Sequence, residues 1–87
     1  MRVWHYLYFN DEESAHRVAR QLQGAAYSTE VRESEPSWLV RASHTIPKSQ
    51  DALEAIAESL TELAVAEGGE YDGWERETQA ARTDSAN

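Results

Sequence analysis

The second half of the chain contains the apolar pattern that most constrains its fold, a repeat at intervals of three and four residues. The pattern consists of Leu53, Ile56, Ala57, Leu60, Leu63 and Ala64. This spacing places all six side chains on one side of an α-helix, which is stable only when that side is buried. Ser49 is positioned to cap the helix, and Gly68-Gly69 ends it. The rest of the chain therefore has to supply a second layer.

The beginning of the chain predicts a strand that belongs to this layer. Residues 3–9, VWHYLYF, are β-branched or aromatic, and such residues favour strands. Alternation separates them into two faces, with Val3, His5, Leu7 and Phe9 on one and Trp4, Tyr6 and Tyr8 on the other. The alternation alone does not decide which face is buried. Val3, Leu7 and Phe9 fit inside equally well, and we place them there, which leaves Trp4, Tyr6 and Tyr8 on the open face.

A first helix follows this strand directly. Asn10 is the predicted N-cap, with Glu13 three residues later as in a capping box. Gly24 is the predicted end of the helix. The apolar stripe between them consists of Ala15, Val18, Ala19 and Leu22, at helical spacing.

Two further strands form a predicted hairpin. Residues 26–33 alternate, with Tyr27, Thr29 and Val31 facing inward, and residues 37–43 form the next strand. Ser34-Glu35-Pro36 is the turn, because proline fixes its own backbone and restrains the residue before it. Residues 44–48 are predicted to be a connection. After the long helix, residues 70–75 supply a fourth short strand, and residues 76–87 read as a polar tail, partly disordered.

This order of elements, β-α-β-β-α-β, predicts an α+β fold. Its usual form is the ferredoxin-like sandwich, a four-stranded antiparallel sheet with two helices on one face. A chain of 87 residues is sufficient for one such domain, which we place at residues 1–75.

Composition restricts the classes of function. The formal net charge is −8; residues 1–48 carry six basic and six acidic side chains, whereas residues 49–87 carry two and ten. Acidic surface repels phosphate, so we expect no direct nucleic-acid binding. The absence of cysteine favours a reducing cytoplasm, and the start of the chain is too short and polar for a signal peptide or membrane span.

Several segments together resemble one protein family. HYLYF, DEESA, EVRES, WLVRAS and GGEYDGWE, between His5 and Glu75, are similar to the RraB family, regulators of the endoribonuclease RNase E. The most specific piece is the closing Asp72-Gly73-Trp74. The resemblance implies a compact α+β domain that binds RNase E or a related protein, inhibits it, and performs no catalysis.

Three groups of residues are candidate contacts with such a partner. Exposed aromatic residues mark interfaces, and an acidic helix face can dock a basic disordered segment. The candidates are Trp4, Tyr6 and Tyr8 on the open sheet face; Glu54, Glu58 and Glu62 at i, i+4 spacing; and Asp72 with Trp74. Local cover of the rings, a solvated helix face and a purely structural closing strand are the respective alternatives.

The sequence contains little that points to catalysis. His5, His16 and His44 lie on different predicted elements without ligand spacing, so we expect no metal and no cofactor. The alternative function is a homodimeric module that binds a small ligand. A dimeric α+β barrel enzyme with a pocket lined by His5, Tyr6 and Trp38 is a further alternative.

Overall fold

A computed structural model describes residues 1–46 and 50–77 of the chain. Within them the elements follow the predicted order. They are β1 (Arg2–Phe9), α1 (Glu12–Gly24), β2 (Ser28–Ser34), β3 (Ser37–Thr45), α2 (Gln50–Ala66) and β4 (Glu70–Arg76). The predicted tail from residue 76 falls largely outside the described residues; Arg76 itself ends β4, opposite Val3.

The four strands form one antiparallel sheet in the order β2-β3-β1-β4. This is the strand order of the ferredoxin-like fold, and the fold prediction is confirmed. Helix α1 packs mainly on β2 and β3, and α2 packs on β4 and β1. Both helices cover the same face of the sheet. The β1 side chains on that face, Val3, His5, Leu7 and Phe9, are at most 1% exposed.

The core lies between the sheet and the two helices. It combines the apolar stripe of α1 with β1, β3 and the inward side of α2. Its buried members are Leu7, Phe9, Ala15, Val18, Ala19, Leu22, Val40, Ala42, Leu60 and Ala64. The helical spacing read from the sequence therefore identifies the buried side of both helices.

Helix α1 begins one residue later than predicted. Its N-cap is Asp11, whose side chain accepts a hydrogen bond from the Ser14 backbone N–H at 2.7 Å. The predictions of Asn10 as the cap and of a capping box with Glu13 are therefore wrong. Strand β1 continues to Phe9, so Asn10 is needed for the bend between the strand and the helix.

The two helices end in the same hydrogen-bonded arrangement, a Schellman motif. In α2, Gly69 N–H donates to the Ala64 carbonyl and Gly68 adopts a φ of +79°. In α1, Tyr27 N–H donates to the Leu22 carbonyl, and the left-handed residue is Ala26, at +73°. Helix α1 does end at Gly24, but that glycine does not occupy the left-handed position.

Strand β3 is longer than predicted. It extends to Thr45, and His44 pairs with Val3 of β1 instead of lying in a connection. The reason is tertiary, since β1 begins at Arg2 and offers a partner for these residues. The predicted cap Ser49 lies outside the described residues.

The junction of α2 with β4 is tightly packed. A Cβ atom placed on Gly69 would collide with the carbonyl oxygen of Tyr8 and with the ring of Phe9. Only a glycine allows the chain to pass this close to β1. No helix in the described part of the chain has the length and apolar character needed to cross a membrane.

Candidate functional site

The open face of the sheet carries a row of three aromatic side chains, Trp4, Tyr6 and Tyr8, which we call the aromatic row. All three are half-buried and point away from the helices, as the alternation of β1 predicts. Leu39 lies opposite Tyr8 on β3 and is only 6% exposed. The centre of this face is therefore an apolar strip beside polar side chains, an arrangement typical of interaction surfaces.

Charged side chains flank the aromatic row on both sides. The Arg2 guanidinium lies 5.4 Å from the centre of the Trp4 ring, within the range of a cation–π interaction. On the β2 side, Arg41 forms an ion pair with Glu30 at 3.2 Å. On the β4 side, the Tyr6 hydroxyl donates a hydrogen bond to Glu75 at 2.8 Å. These contacts hold Trp4 and Tyr6 in place and leave all three rings half-buried.

The environment of Tyr6 also affects its proton. Burial against the sheet raises the pKa of the Tyr6 hydroxyl, and the hydrogen bond to the Glu75 carboxylate raises it further. The nearby Arg41 guanidinium opposes this effect. Tyr6 is therefore held as a neutral hydrogen-bond donor at physiological pH.

The acidic stripe on α2 lies on a different side of the molecule. Glu54, Glu58 and Glu62 are all exposed, as their spacing predicts. Helix α2 packs on the face of the sheet opposite the aromatic row, so the sheet separates the two candidate surfaces. A single flat partner surface cannot contact both.

Asp72 and Trp74 belong to a bulge in β4. His5 pairs with Trp74 and Leu7 pairs with Tyr71, which leaves two residues, Asp72 and Gly73, opposite Tyr6. Gly73 has a φ of +108°, consistent with the glycine that such bulges require. The extra residue turns Trp74 toward the helix-covered face, where it is half-buried, whereas Asp72 is exposed. Trp74 therefore does not join the aromatic row.

Sequence reasoning missed a polar cluster under the helices, formed by His5, His44, Tyr27 and Tyr71. The His5 ring has no exposed surface, and its Nδ1 is hydrogen-bonded to the Tyr71 hydroxyl at 2.9 Å. Its Nε2 lies 3.0 Å from Nε2 of His44. The His44 ring stacks on Tyr27 with 4.4 Å between centroids. Both His5 nitrogens are thus satisfied within the fold.

Burial shifts the pKa of each of these groups toward the neutral form. Desolvation, and secondarily repulsion by His44, lowers the pKa of His5 to about 4. Desolvation also lowers the pKa of His44. Desolvation, with a smaller contribution from Tyr27, raises the pKa of Tyr71 to about 12. The cluster is accordingly neutral at physiological pH, and its hydrogen bonds then join uncharged groups.

The sequence does hold a signal for this cluster, in the parity of β3. Trp38, Val40 and Ala42 face the helices. His44 lies two residues further along the same strand and therefore faces them as well. That signal depends on extending β3 past Ser43, which the sequence does not demand. His5 and Tyr6 lie on opposite faces of β1, so the pocket predicted between His5, Tyr6 and Trp38 is wrong. The described residues hold no group of three side chains suited to bind a metal.

Fold and surface together define a class of protein: a ferredoxin-like α+β domain whose helices shield one sheet face while aromatic side chains occupy the other. Comparison with protein families then gives the family. The model for "Regulator of ribonuclease activity B" matches residues 1–75, and the chain belongs to this RraB family. No curated protein and no solved structure matches the chain. The family description makes it a regulator of ribonuclease activity, in agreement with the resemblance of the sequence.

Proposed function

We propose that this protein is a non-catalytic regulator that binds an endoribonuclease of the RNase E type and inhibits it. The observation that carries the proposal is the family match over residues 1–75, which include the first five described elements and β4 as far as Glu75. The partner is a protein and not RNA, because the excess acidic charge disfavours phosphate. We place the protein in the cytoplasm, because its chain contains no cysteine and its proposed partner is a ribonuclease.

The aromatic row is the proposed main contact. Large rings in the centre of an interface contribute most of the binding free energy when water is excluded around them. Trp4, Tyr6 and Tyr8 lie at alternate positions along one strand, so a partner segment could run along the three rings. The half-burial and the fixed orientation of the rings reduce the entropy lost on binding.

The acidic stripe Glu54, Glu58 and Glu62 is the proposed second contact. It would attract a basic disordered segment of the same partner and increase the rate of association. Asp72 adds negative charge at the β4 edge, and Trp74 supports the bulge that exposes it. Since the sheet lies between the two surfaces, the partner has to use separate segments for them, which suits a flexible chain.

The proposal is tested by calorimetric titration against RNase E from the source organism, together with cleavage of a single-stranded RNA by that enzyme. We expect saturable binding, slower cleavage, and weaker binding at moderate than at low salt. The double substitution Trp4→Ala with Tyr8→Ala should reduce affinity at least about tenfold. Glu58→Lys should reduce it less and weaken its salt dependence.

The matched control is His16→Ala, which alters an exposed side chain on α1, away from both surfaces. It should bind as the unsubstituted protein does. Absence of heat and of inhibition at high protein concentration would refute the proposed partner. Equal binding by the aromatic double variant would refute the aromatic row as its site.

A further inference from the structure

The two edges of the sheet differ in how they are protected. Strand β2 lies at one end of the strand order, and all seven of its residues pair in register with β3, with no bulge and no proline. Its outer side has no strand beside it among residues 1–46 and 50–77. A regular, uncovered edge strand is a ready template for pairing with another strand.

Strand β4, at the other end, is protected in the usual ways. Its pairing is interrupted by the bulge at Asp72 and Gly73, which distorts the edge. Its three acidic residues, Glu70, Asp72 and Glu75, outnumber its one basic residue, Arg76. A second copy of β4 would meet an irregular backbone and a strand of net negative charge, so this edge disfavours association with itself.

The backbone of β2 presents hydrogen-bonding groups outward at alternate residues. Glu35 and Pro36 form a two-residue turn, and Ser34 pairs with Ser37 across it. The residues that flank such a turn form a hydrogen-bonded pair, and the pattern alternates along the hairpin. Thr29, Val31 and Glu33 therefore direct their backbone N–H and C=O groups away from β3.

The side chains of β2 are complementary to a second copy of the same strand. The sequence Ser-Thr-Glu-Val-Arg-Glu-Ser runs from residue 28 to 34 with Val31 at its centre. In an antiparallel pair centred on Val31, the valine meets its own copy, and Ser28 meets Ser34. Glu30 faces Arg32 of the second copy, and this pairing occurs twice because the arrangement is two-fold symmetric.

We propose that two copies of the chain associate through antiparallel pairing of their β2 strands about Val31. The result is a continuous eight-stranded sheet with two cross-strand ion pairs between Glu30 and Arg32. Glu30 already contacts Arg41 at 3.2 Å, so its carboxylate lies between two guanidinium groups in the dimer.

The distribution of charge favours this edge over other self-contacts. Residues 1–48, which include β2, carry no net charge, and the charge of −8 resides in residues 49–87. Strand β4 lies at the opposite end of the sheet, so pairing through β2 keeps the acidic β4 edges of the two copies far apart. The aromatic row of each copy stays open, and the dimer does not depend on the ribonuclease proposal.

The test is sedimentation of the protein alone over a range of concentrations, with two single variants. Glu30→Lys places two like-charged Lys–Arg contacts in the dimer, and Arg32→Glu places two Glu–Glu contacts there. Each variant should dimerise at least about tenfold more weakly than the unsubstituted protein. An equimolar mixture of the two should regain the dimer, since each heterodimer contact then joins a Lys or Arg to a Glu.

Rescue in the mixture separates a charge effect at the interface from a folding defect in either variant. Hydrogen exchange gives a second readout, in which the amides of Thr29, Val31 and Glu33 should become protected as the dimer forms. A protein that stays monomeric at its highest soluble concentration overturns the proposal. A dimer that neither variant weakens, or a mixture that regains nothing, overturns it equally.

Discussion

The two faces of strand β1 have opposite surroundings although they alternate residue by residue. Val3, His5, Leu7 and Phe9 are at most 1% exposed beneath the helices. Trp4, Tyr6 and Tyr8 are of similar or larger size, yet they are only half-buried on the other face. Bulky side chains are thus present on both faces, and the position of the helices decides which set becomes core. The face that they leave open carries the main contact that we propose for a partner.

The comparison also concerns polarity. The covered face holds the buried imidazole of His5, whereas the open face holds the apolar rings of the aromatic row. The buried polar group is tolerated because Tyr71 and His44 satisfy both of its nitrogens. Four pairs of variants measure how different the two faces are.

The largest expected effect is on the covered face, at Leu7. Leu7→Ala should lower the free energy of unfolding by about 3 kcal/mol, because it leaves a cavity at a fully buried position. Tyr8→Ala, the neighbouring substitution on the open face, should cost about 1 kcal/mol. Urea unfolding of both variants checks the difference. Equal losses would mean that the open face is as much a core as the covered one.

Gly69→Ala should lower the free energy of unfolding by about 2 kcal/mol. The added methyl group has no room between the Tyr8 carbonyl and the Phe9 ring, so the α2–β4 turn must move away from β1. Gly24→Ala is the matched control, since nothing lies within 4 Å of its added Cβ. Its unfolding free energy should change by less than about 0.5 kcal/mol. Similar values for the two variants would contradict the tight closure of the covered face.

The third prediction concerns the pH dependence of stability. The pKa of His5 falls from 6.5 to about 4 on folding, so the unfolded chain takes up the proton first as pH decreases. The stability that neutral His5 provides is complete above about pH 6.5 and is lost as pH falls through about 4. Between these two pH values the unsubstituted protein takes up protons when it unfolds. His5→Gln should lower this uptake by up to about one proton per molecule.

Urea unfolding at several pH values measures how steeply the free energy of unfolding changes with pH. Part of this slope should remain in the His5→Gln variant, because burial lowers the pKa of His44 as well. His16→Gln serves as the control because it removes an exposed imidazole from α1. The same slope in His5→Gln as in the unsubstituted protein would show that His5 is not neutral in the fold.

The smallest effect is expected at Tyr6. Tyr6→Phe removes the hydrogen bond to Glu75 on the open face and should cost about 0.5 kcal/mol. Glu75→Gln should lower the pKa of Tyr6 toward its ordinary value, since the carboxylate is one cause of its increase. Titration of the tyrosine ring signals by NMR follows this shift. A loss above about 2 kcal/mol in Tyr6→Phe would place Tyr6 in the structural core.

Much of the fold could be predicted because its signals are periodic. The alternation of β1 separates its side chains into the two observed faces, and the apolar spacing of both helices identifies their buried sides; those predictions are confirmed. The aromatic row followed from the same alternation. Single-residue features were less predictable, because competing residues stand side by side. Both Asn10 and Asp11 can cap a helix, and in the structure it is the Asp11 carboxylate that accepts the hydrogen bond from the Ser14 N–H.

The histidine cluster and the position of Trp74 could not be predicted for a different reason. His5 and His44 are 39 residues apart, and their contact requires the register of β1 with β3. Trp74 reads in the sequence as part of the same surface as Asp72. The bulge opposite Tyr6 reverses the alternation of β4 and turns Trp74 to the other face.

The sequence by itself determined the order of the elements, the buried sides of the helices and the excess of acidic charge in the second half, because each is a local or additive property. Only the tertiary structure decided the partners of His5, the position of Trp74 and the contrast between the β2 and β4 edges. These depend on strand register and on one inserted residue. A shift of a single residue moves a side chain from one face of a sheet to the other.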